Sequence, residues 1–339
     1  MTVVLGIEST AHTFGVGIVS DEPPYVLADS RRQYVPEKGG ILPREVAHFF
    51  SRVAGEVVSE ALREAGLKIG DVDAIAVALG PGMGPALRVG ATVARALALH
   101  FKKPLVPVNH AVAHIEVARF TTGLEDPVAL YVAGGNTTVV SYEAGRYRVF
   151  GETEDIALGN LLDTFAREVG IAPPYVVGGM HAVDKCAEEG EFLEEALPYI
   201  VKGQDVSFSG LLTAALRLHR KGYRLSDICY TLREIAFSMV VEVTERCLAH
   251  TGKRQVTLTG GVAANRVLNR KMEIMARLHG AVYKPVDVRY SGDNGVMIAV
   301  TGLAAFKRGV TIDPRRAFIR QRWRIDEVDL PWYPWIPGR

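Results

Sequence analysis

Two histidines four residues apart, in Asn109-His110-Ala-Val-Ala-His114, are the pair in this chain best suited to metal chemistry. On a helix that spacing stacks both imidazoles on one face. Two neutral imidazoles about one turn apart suit a first-row cation such as zinc or iron. Asn109 can cap the helix that follows Pro107. The competing reading is a chance pairing on a solvated face, since nine histidines are available. A zinc-protease helix needs Glu directly after its first His to activate water. Ala111 stands there, so peptide hydrolysis lacks its base. Far along the chain, Ser291-Gly-Asp293-Asn-Gly precedes an apolar segment over 296–306. Asp293 reads either as the cap of that helix or as a carboxylate joining the histidines. Mixed His/carboxylate sets keep coordination positions open for catalysis.

Two glycine turns could meet a nucleotide. In Tyr131-Val132-Ala133-Gly134-Gly135-Asn136-Thr137 a strand ends in two glycines, which bares backbone N–H groups to an anion. A hairpin turn needing positive φ would use glycine equally well. In Thr259-Gly-Gly-Val-Ala-Ala-Asn265 the glycines permit close approach of a nucleotide, and Asn265 projects from the first turn of the next helix. Tight packing of strand on helix is the alternative.

The elements that must position these residues form a repeat. Apolar strands over 3–10, 14–19 and 25–34 make a β-meander, and 128–133, 138–142 and 147–151 make a second. Helical apolar spacing over 43–65 follows the first, and 232–251 follows the second. Then strand, glycine turn and helix recur in the same relative place: 74–79, Gly80-Pro-Gly-Met-Gly84 and 85–101, and again 256–259, Gly260-Gly261 and 265–279. A duplicated α/β domain is the economical reading. The expected division is a first lobe over 1–127, joined by the C-terminal helix 294–309, a second over 128–293 carrying most nucleotide contacts, and a basic Trp/Pro-rich tail over 310–339. That tail holds Arg315, Arg316, Arg320, Arg322 and Arg324, and its prolines forbid a long helix or central strand.

At 339 residues, 48% apolar and 23% charged, the chain has the length for about two globular domains. Its apolar runs fall short of the roughly 20 residues of a membrane span, and the N-terminus reads as a buried strand, so a cytoplasmic protein without membrane contact is expected. Cys186, Cys229 and Cys247 form no CxxC pair and are expected as ordinary thiols. A net charge of +1 advertises no nucleic-acid binder. Any RNA contact must come from local patches, such as Arg217 to Arg224 or the arginine-rich tail, or from another subunit.

Seven segments in order resemble the tRNA threonylcarbamoyladenosine transferases, once called sialoglycoprotein endopeptidases: Gly6-Ile-Glu-Ser-Thr-Ala-His12-Thr, Gly80-Pro-Gly, Asn109-His-Ala-Val-Ala-His114, Tyr131-Val-Ala-Gly-Gly-Asn136, Gly159-Asn-Leu-Leu-Asp163, Gly260-Gly-Val-Ala-Ala-Asn265 and Gly292-Asp-Asn-Gly. The Ala-His-Thr after the first strand and the ending Gln321-Arg-Trp-Arg-Ile-Asp-Glu-Val328 are similar to the archaeal and eukaryotic branch. The resemblance implies duplicated ribonuclease H-like domains of the actin/Hsp70/sugar-kinase (ASKHA) superfamily. It implies a metal-dependent enzyme moving a threonylcarbamoyl group from its adenylate to N6 of the adenosine at tRNA position 37, in ANN-decoding tRNAs. One divalent metal, iron or zinc, would sit on His110, His114 and Asp293, with Tyr131 as a further ligand. The adenylate, with ATP or AMP as other occupants, would meet Tyr131, Val132, Ala133, Gly134, Gly135, Asn136, Asp163, Gly179, Asp184 and Asn265. Around Gly179 the chain departs from the family's Pro-Gly-Gly-Pro, reading Tyr175-Val-Val-Gly-Gly-Met-His181. Glu8 or His12 could accept the N6 proton. Implied partners are tRNA and, in a KEOPS complex, a small protein kinase with accessory subunits. The alternatives are an ATP-dependent kinase or ATPase of the same superfamily and a nucleotide-binding scaffold; Glu8-Ser-Thr in the first phosphate turn and the added histidine pair speak against the former.

Overall fold

The computed structural model describes residues 1–36, 40–194 and 196–338. The chain opens with β1 (Val3–Glu8), β2 (Thr13–Ser20), β3 (Val26–Gln33), α1 (Pro43–Glu64), β4 (Ala74–Gly80), α2 (Gly84–Phe101), β5 (Leu105–Asn109) and α3 (His110–Thr122). There follow β6 (Val128–Val132), β7 (Thr137–Glu143), β8 (Arg146–Glu152) and α4 (Leu158–Glu168). Two short hairpins, β9 (Val176–Val177) with β10 (Met180–His181) and β11 (Val201–Lys202) with β12 (Asp205–Val206), flank α5 (Ala182–Cys186). Last come α6 (Ser209–Arg220), α7 (Leu225–Thr251), β13 (Gln255–Thr259), α8 (Arg266–Leu278), β14 (Val282–Tyr283) and α9 (Gly295–Lys307).

Two five-stranded sheets carry the architecture, in the orders β3-β2-β1-β4-β5 and β8-β7-β6-β13-β14. The orders are the same. In each, an antiparallel meander places its first strand centrally, and later strands add parallel to it, β4 on β1 and β13 on β6. Parallel addition requires a crossover, which explains why helices intervene. The repeat legible in the sequence is therefore a duplicated α/β fold of the ASKHA type.

The chain divides into two compact units, one formed by 1–125, 143–148 and 292–339, the other by 126–142 and 149–291. The arginine-rich tail lies within the first. Ile312 donates its N–H to the Leu105 carbonyl at 2.8 Å, Arg320 to Leu79 at 2.7 Å and Leu330 to Gly145 at 2.9 Å. Within the first unit, α1 and α2 pack against the sheet, and α3 and α9 pack together. The approach of α9 to the sheet depends on absent side chains. A Cβ on Gly6 would lie 2.3 Å from the Ala299 nitrogen, and one on Gly17 the same distance from the Val296 nitrogen. That contact fixes where α9 begins, hence where Asp293 points.

The cysteines depart from expectation. Cys186 and Cys229 form a disulfide across 43 residues, while Cys247 is a buried thiol. Packing of α5 on α7 brings the two sulfurs together, and spacing alone cannot reveal such a long-range pair. Replacing both with Ser should cost about 2–4 kcal/mol through the larger entropy of the opened unfolded chain. In denaturant melts, the reduced native chain should match the double variant; equal midpoints with and without reductant would contradict this. Among the described residues, no helix is long and apolar enough to cross a membrane.

Candidate functional site

The first unit gathers a metal-type trio. Asn109 ends β5 and caps α3, its Oδ1 accepting from the N–H groups of Ala111 at 2.9 Å and Val112 at 3.1 Å. The first ten residues of α3 are all buried, so the histidines occupy no solvated face: His110 is 6% exposed and His114 is fully enclosed. Asn294, not Asp293, caps α9, accepting from the Met297 N–H at 2.8 Å. The Asp293 carboxylate instead faces the imidazoles, its Oδ1 lying 3.2 Å from His114 Nε2 and 3.6 Å from His110 Nε2. Ligands held tetrahedrally at metal distances near 2.1 Å stand about 3.4 Å apart, close to both carboxylate–imidazole separations, and all three ligand atoms lie within 4.8 Å of one another, so a first-row cation would draw the set together.

Behind the trio, Glu8 at the end of β1 is fully buried and orients His110. Its Oε2 lies 2.9 Å from His110 Nδ1, while Oε1 accepts from the Thr10 amide at 2.6 Å and the Thr10 hydroxyl at 2.5 Å. A proton shared on the Glu8 side leaves Nε2 as the donor atom for a cation, the usual carboxylate–histidine–metal arrangement. Burial works against charge on His110, but the Glu8 and Asp293 carboxylates outweigh it and push its pKa up to about 9. Burial dominates at His114 and lowers its pKa. Burial also opposes the charge on Asp293, yet the neighbouring imidazoles hold it well below the usual carboxylate range. A cation entering here displaces a proton. His12, just beyond β1, is half-buried.

The second unit gathers the expected nucleotide residues in two groups. Asp184 on α5 accepts from Asn265 Nδ2 at 2.6 Å, while Asn265 Oδ1 caps α8 through the Val267 and Leu268 amides. Asp163 on α4 is tied to the same region through His181. That imidazole accepts from the Val183 N–H at Nδ1, which places its proton on Nε2, 3.0 Å from Asp163 Oδ1. Gly179 sits with Gly178 in the β9–β10 turn, both at positive φ, so the departure from the family pattern forms a two-residue hairpin turn of the kind glycines favour. Tyr131 and Val132 end β6, and the Ala133 amide closes the turn onto the Asn136 carbonyl at 2.9 Å. Gly134 and Gly135 are exposed and take no positive φ, so their conformation alone does not demand glycine. Gly260 does need to be glycine: at φ 93° its Cβ would stand 2.3 Å from the Val132 carbonyl oxygen.

Three participants escaped sequence reasoning: Thr10, His181 and Arg233. Arg233 on α7 is 8% exposed, with one guanidinium nitrogen 3.8 Å from Asp184 Oδ1. Burial raises the Asp184 pKa, and Arg233 opposes that rise. Its signal was a charge on the helical face shared with Cys229, Leu232, Ala236 and Phe237.

A duplicated ribonuclease H-like fold with strand–glycine–helix turns and a largely buried His/His/Asp cluster defines an ASKHA protein with a candidate cation centre. Solved structures share the fold: HypF of T. kodakarensis (TM-score 0.64, 16% identity, 91% of this chain and 48% of that one) and component A of the Acidaminococcus fermentans (R)-2-hydroxyglutaryl-CoA dehydratase (TM-score 0.54, 16%, 91% and 99%). The family model for tRNA N6-adenosine threonylcarbamoyltransferase matches residues 26–300. Curated proteins of that name are 80% identical in Aeropyrum pernix, over 99% of this chain and 96% of that protein, and 62% identical in Hyperthermus butylicus, over 97% and 91%. The chain belongs to the tRNA N6-adenosine threonylcarbamoyltransferase family.

Proposed function

We propose that this chain transfers the threonylcarbamoyl group of threonylcarbamoyl-adenylate to N6 of the adenosine at position 37 of ANN-decoding tRNAs. The observation that carries this reading is the convergence of buried His110 and His114 with the partly buried Asp293, buttressed by Glu8, on a fold of the matching family. In the reaction N6 attacks the carbamoyl carbon, the bond from that carbon to the phosphate oxygen breaks, AMP leaves, and N6 loses a proton. The mixed anhydride supplies a good leaving group, whereas the amine is poor because its lone pair is delocalised into the ring. Orientation and stabilisation of charge on the carbamoyl oxygen are therefore the main tasks.

Held by the trio, a divalent iron or zinc ion would polarise the carbamoyl carbonyl. Asp163 and Asp184 are assigned to ribose hydroxyls, the Gly134–Gly135 turn to the phosphate and Asn265 to the nucleoside. Glu8 has both oxygens committed to His110 and Thr10, so we assign removal of the N6 proton to His12. A KEOPS-type protein kinase and accessory subunits are the proposed partners. The test uses purified chain, labelled threonylcarbamoyl-adenylate and an unmodified tRNA transcript, with and without those partners. Label appearing in tRNA supports the proposal. ADP formed by phosphoryl transfer to a small molecule, without labelled tRNA, would replace it with a kinase.

Arg233 offers a second check. Asp184 accepts ribose hydroxyls best as a carboxylate, and its folded pKa is already raised. Removing the opposing guanidinium in Arg233→Met raises it further. AMP affinity should then fall at a higher pH, as acidification proceeds, than in the native chain. Calorimetric titrations from pH 8 to 5 with superimposable profiles would show that Arg233 does not sustain the Asp184 charge.

A further inference from the structure

The tail's arginines are expected surface groups, but their setting is unusual. Residues 312–324 form an ordered strap, not a loose extension. Ala317 and Trp323 are buried, Arg320 donates its N–H to Leu79, and the Gln321 carbonyl accepts from Gly82 at 3.2 Å. The strap reaches the metal helix by two routes. Asn109 Nδ2 donates to the Trp323 carbonyl at 3.0 Å, directly before His110. The Met83 amide, one residue beyond Gly82, donates to the carbonyl of Thr10, whose hydroxyl touches His110 Nδ1.

From 313 to 324 the strap carries five arginines against one aspartate, in a chain whose net charge is only +1. Arg320 and Arg324 are neutralised by Glu327 and Asp326. Arg315, Arg316 and Arg322 are exposed and have no ion-pair partner among the described residues. Between them Phe318 is 68% exposed, in a segment otherwise folded tightly enough to bury its neighbour Ala317. An exposed aromatic ring interleaved with uncompensated guanidinium groups is the chemistry of single-stranded nucleic-acid binding: bases stack on the ring while phosphates meet the cations.

We propose that the strap is this chain's own seat for tRNA nucleotides flanking the acceptor adenosine, with Phe318 stacking on a base and Arg315, Arg316 and Arg322 on phosphates. The assignment rests on the reading that tRNA is the acceptor, and it adds where the single strand lies. The strap that carries this ring is tied to the residue before His110 through the Trp323 carbonyl, which would hold the bound single strand in register with the cation centre.

The test measures transfer and binding of an unmodified tRNA transcript by the full chain with its partners. Phe318→Ala and Phe318→Leu should raise KM for tRNA about 5- to 100-fold and leave KM for the adenylate unchanged. Phe318→Trp should restore tRNA binding, because it stacks. Arg322→Ala should reduce the salt slope of binding by about one. If Phe318→Leu binds tRNA as well as Phe318→Trp, the ring is not stacking and the proposal fails. It fails equally if the Phe318 variants lose a protein partner at undiminished tRNA affinity. Absence of any transfer by the native complex would instead overturn the tRNA reading beneath it.

Discussion

Asp293→Ala is expected to remove the bound cation and transfer activity together. Asp293 supplies the only carboxylate in the His110–His114–Asp293 cluster, and it lies opposite both Nε2 atoms, at 3.6 and 3.2 Å. Without it only two imidazoles of the cluster remain, with no negative charge among them to offset that of a cation. Several kcal/mol of charge stabilisation should vanish from the transition state, a loss of at least about 100-fold in rate. Metal content by elemental analysis and single-turnover transfer are the two readouts. Asn294→Ala is the matched control, since it costs about 1 kcal/mol of helix capping and spares every proposed ligand. Should Asp293→Ala retain one metal per chain, the carboxylate would leave the ligand set. Glu8→Gln should behave differently, weakening metal affinity about 10- to 100-fold while the site persists, because Glu8 orients a ligand rather than being one.

The legibility of this arrangement in the sequence follows the range of the interactions involved. Strand–glycine–helix repeats are local, so the duplicated fold and the cap at Asn109 could be read from neighbouring residues, whereas Asn265, read as a nucleotide contact, also proves to cap α8. The His110–His114 pair was also local, being one helical turn. Its meaning was not, because the sequence could not say that α3 is enclosed by α9 and the sheet, which removes the solvated-face reading. Asp293 stood between two roles, and Asn294 taking the cap removes one of them. Thr10, His181 and Arg233 stayed hidden for a common reason. Each is an unremarkable polar residue until a partner 18 to 100 positions away, respectively His110, Asp163 or Asp184, comes within reach. The Cys186–Cys229 bridge is the same case in covalent form. Composition separated the tail as a basic appendage, yet backbone pairing with Leu79, Leu105 and Gly145 makes it part of the first unit.

Arg119→Met should be the most damaging substitution away from the proposed chemistry. Arg119 lies on α3, nine residues beyond His110, and is fully buried. Its guanidinium donates to Glu116 at 2.8 Å, to the Glu125 carbonyl at 3.1 Å and to the Pro334 carbonyl, and it stacks 4.1 Å from the Tyr333 ring centre. Glu116 is equally enclosed and also accepts from the Tyr147 hydroxyl at 2.6 Å. A fully desolvated pair of this kind contributes modest net stability, because burying both charges offsets their attraction. Removing one partner is another matter: Glu116 would keep its charge with only Tyr147 to answer it, at a cost of about 3–5 kcal/mol. The double variant Glu116→Gln/Arg119→Met should recover much of that loss, since no unpaired charge remains, and a double-mutant cycle in urea measures the coupling. The same network joins α3 to the tail through Pro334 and Tyr333, so Arg119→Met should also loosen the helix that carries both histidines and weaken metal binding. A single variant within about 1 kcal/mol of the native chain, with full metal content, would mean that packing against α9 and the sheet holds α3 without the ion pair.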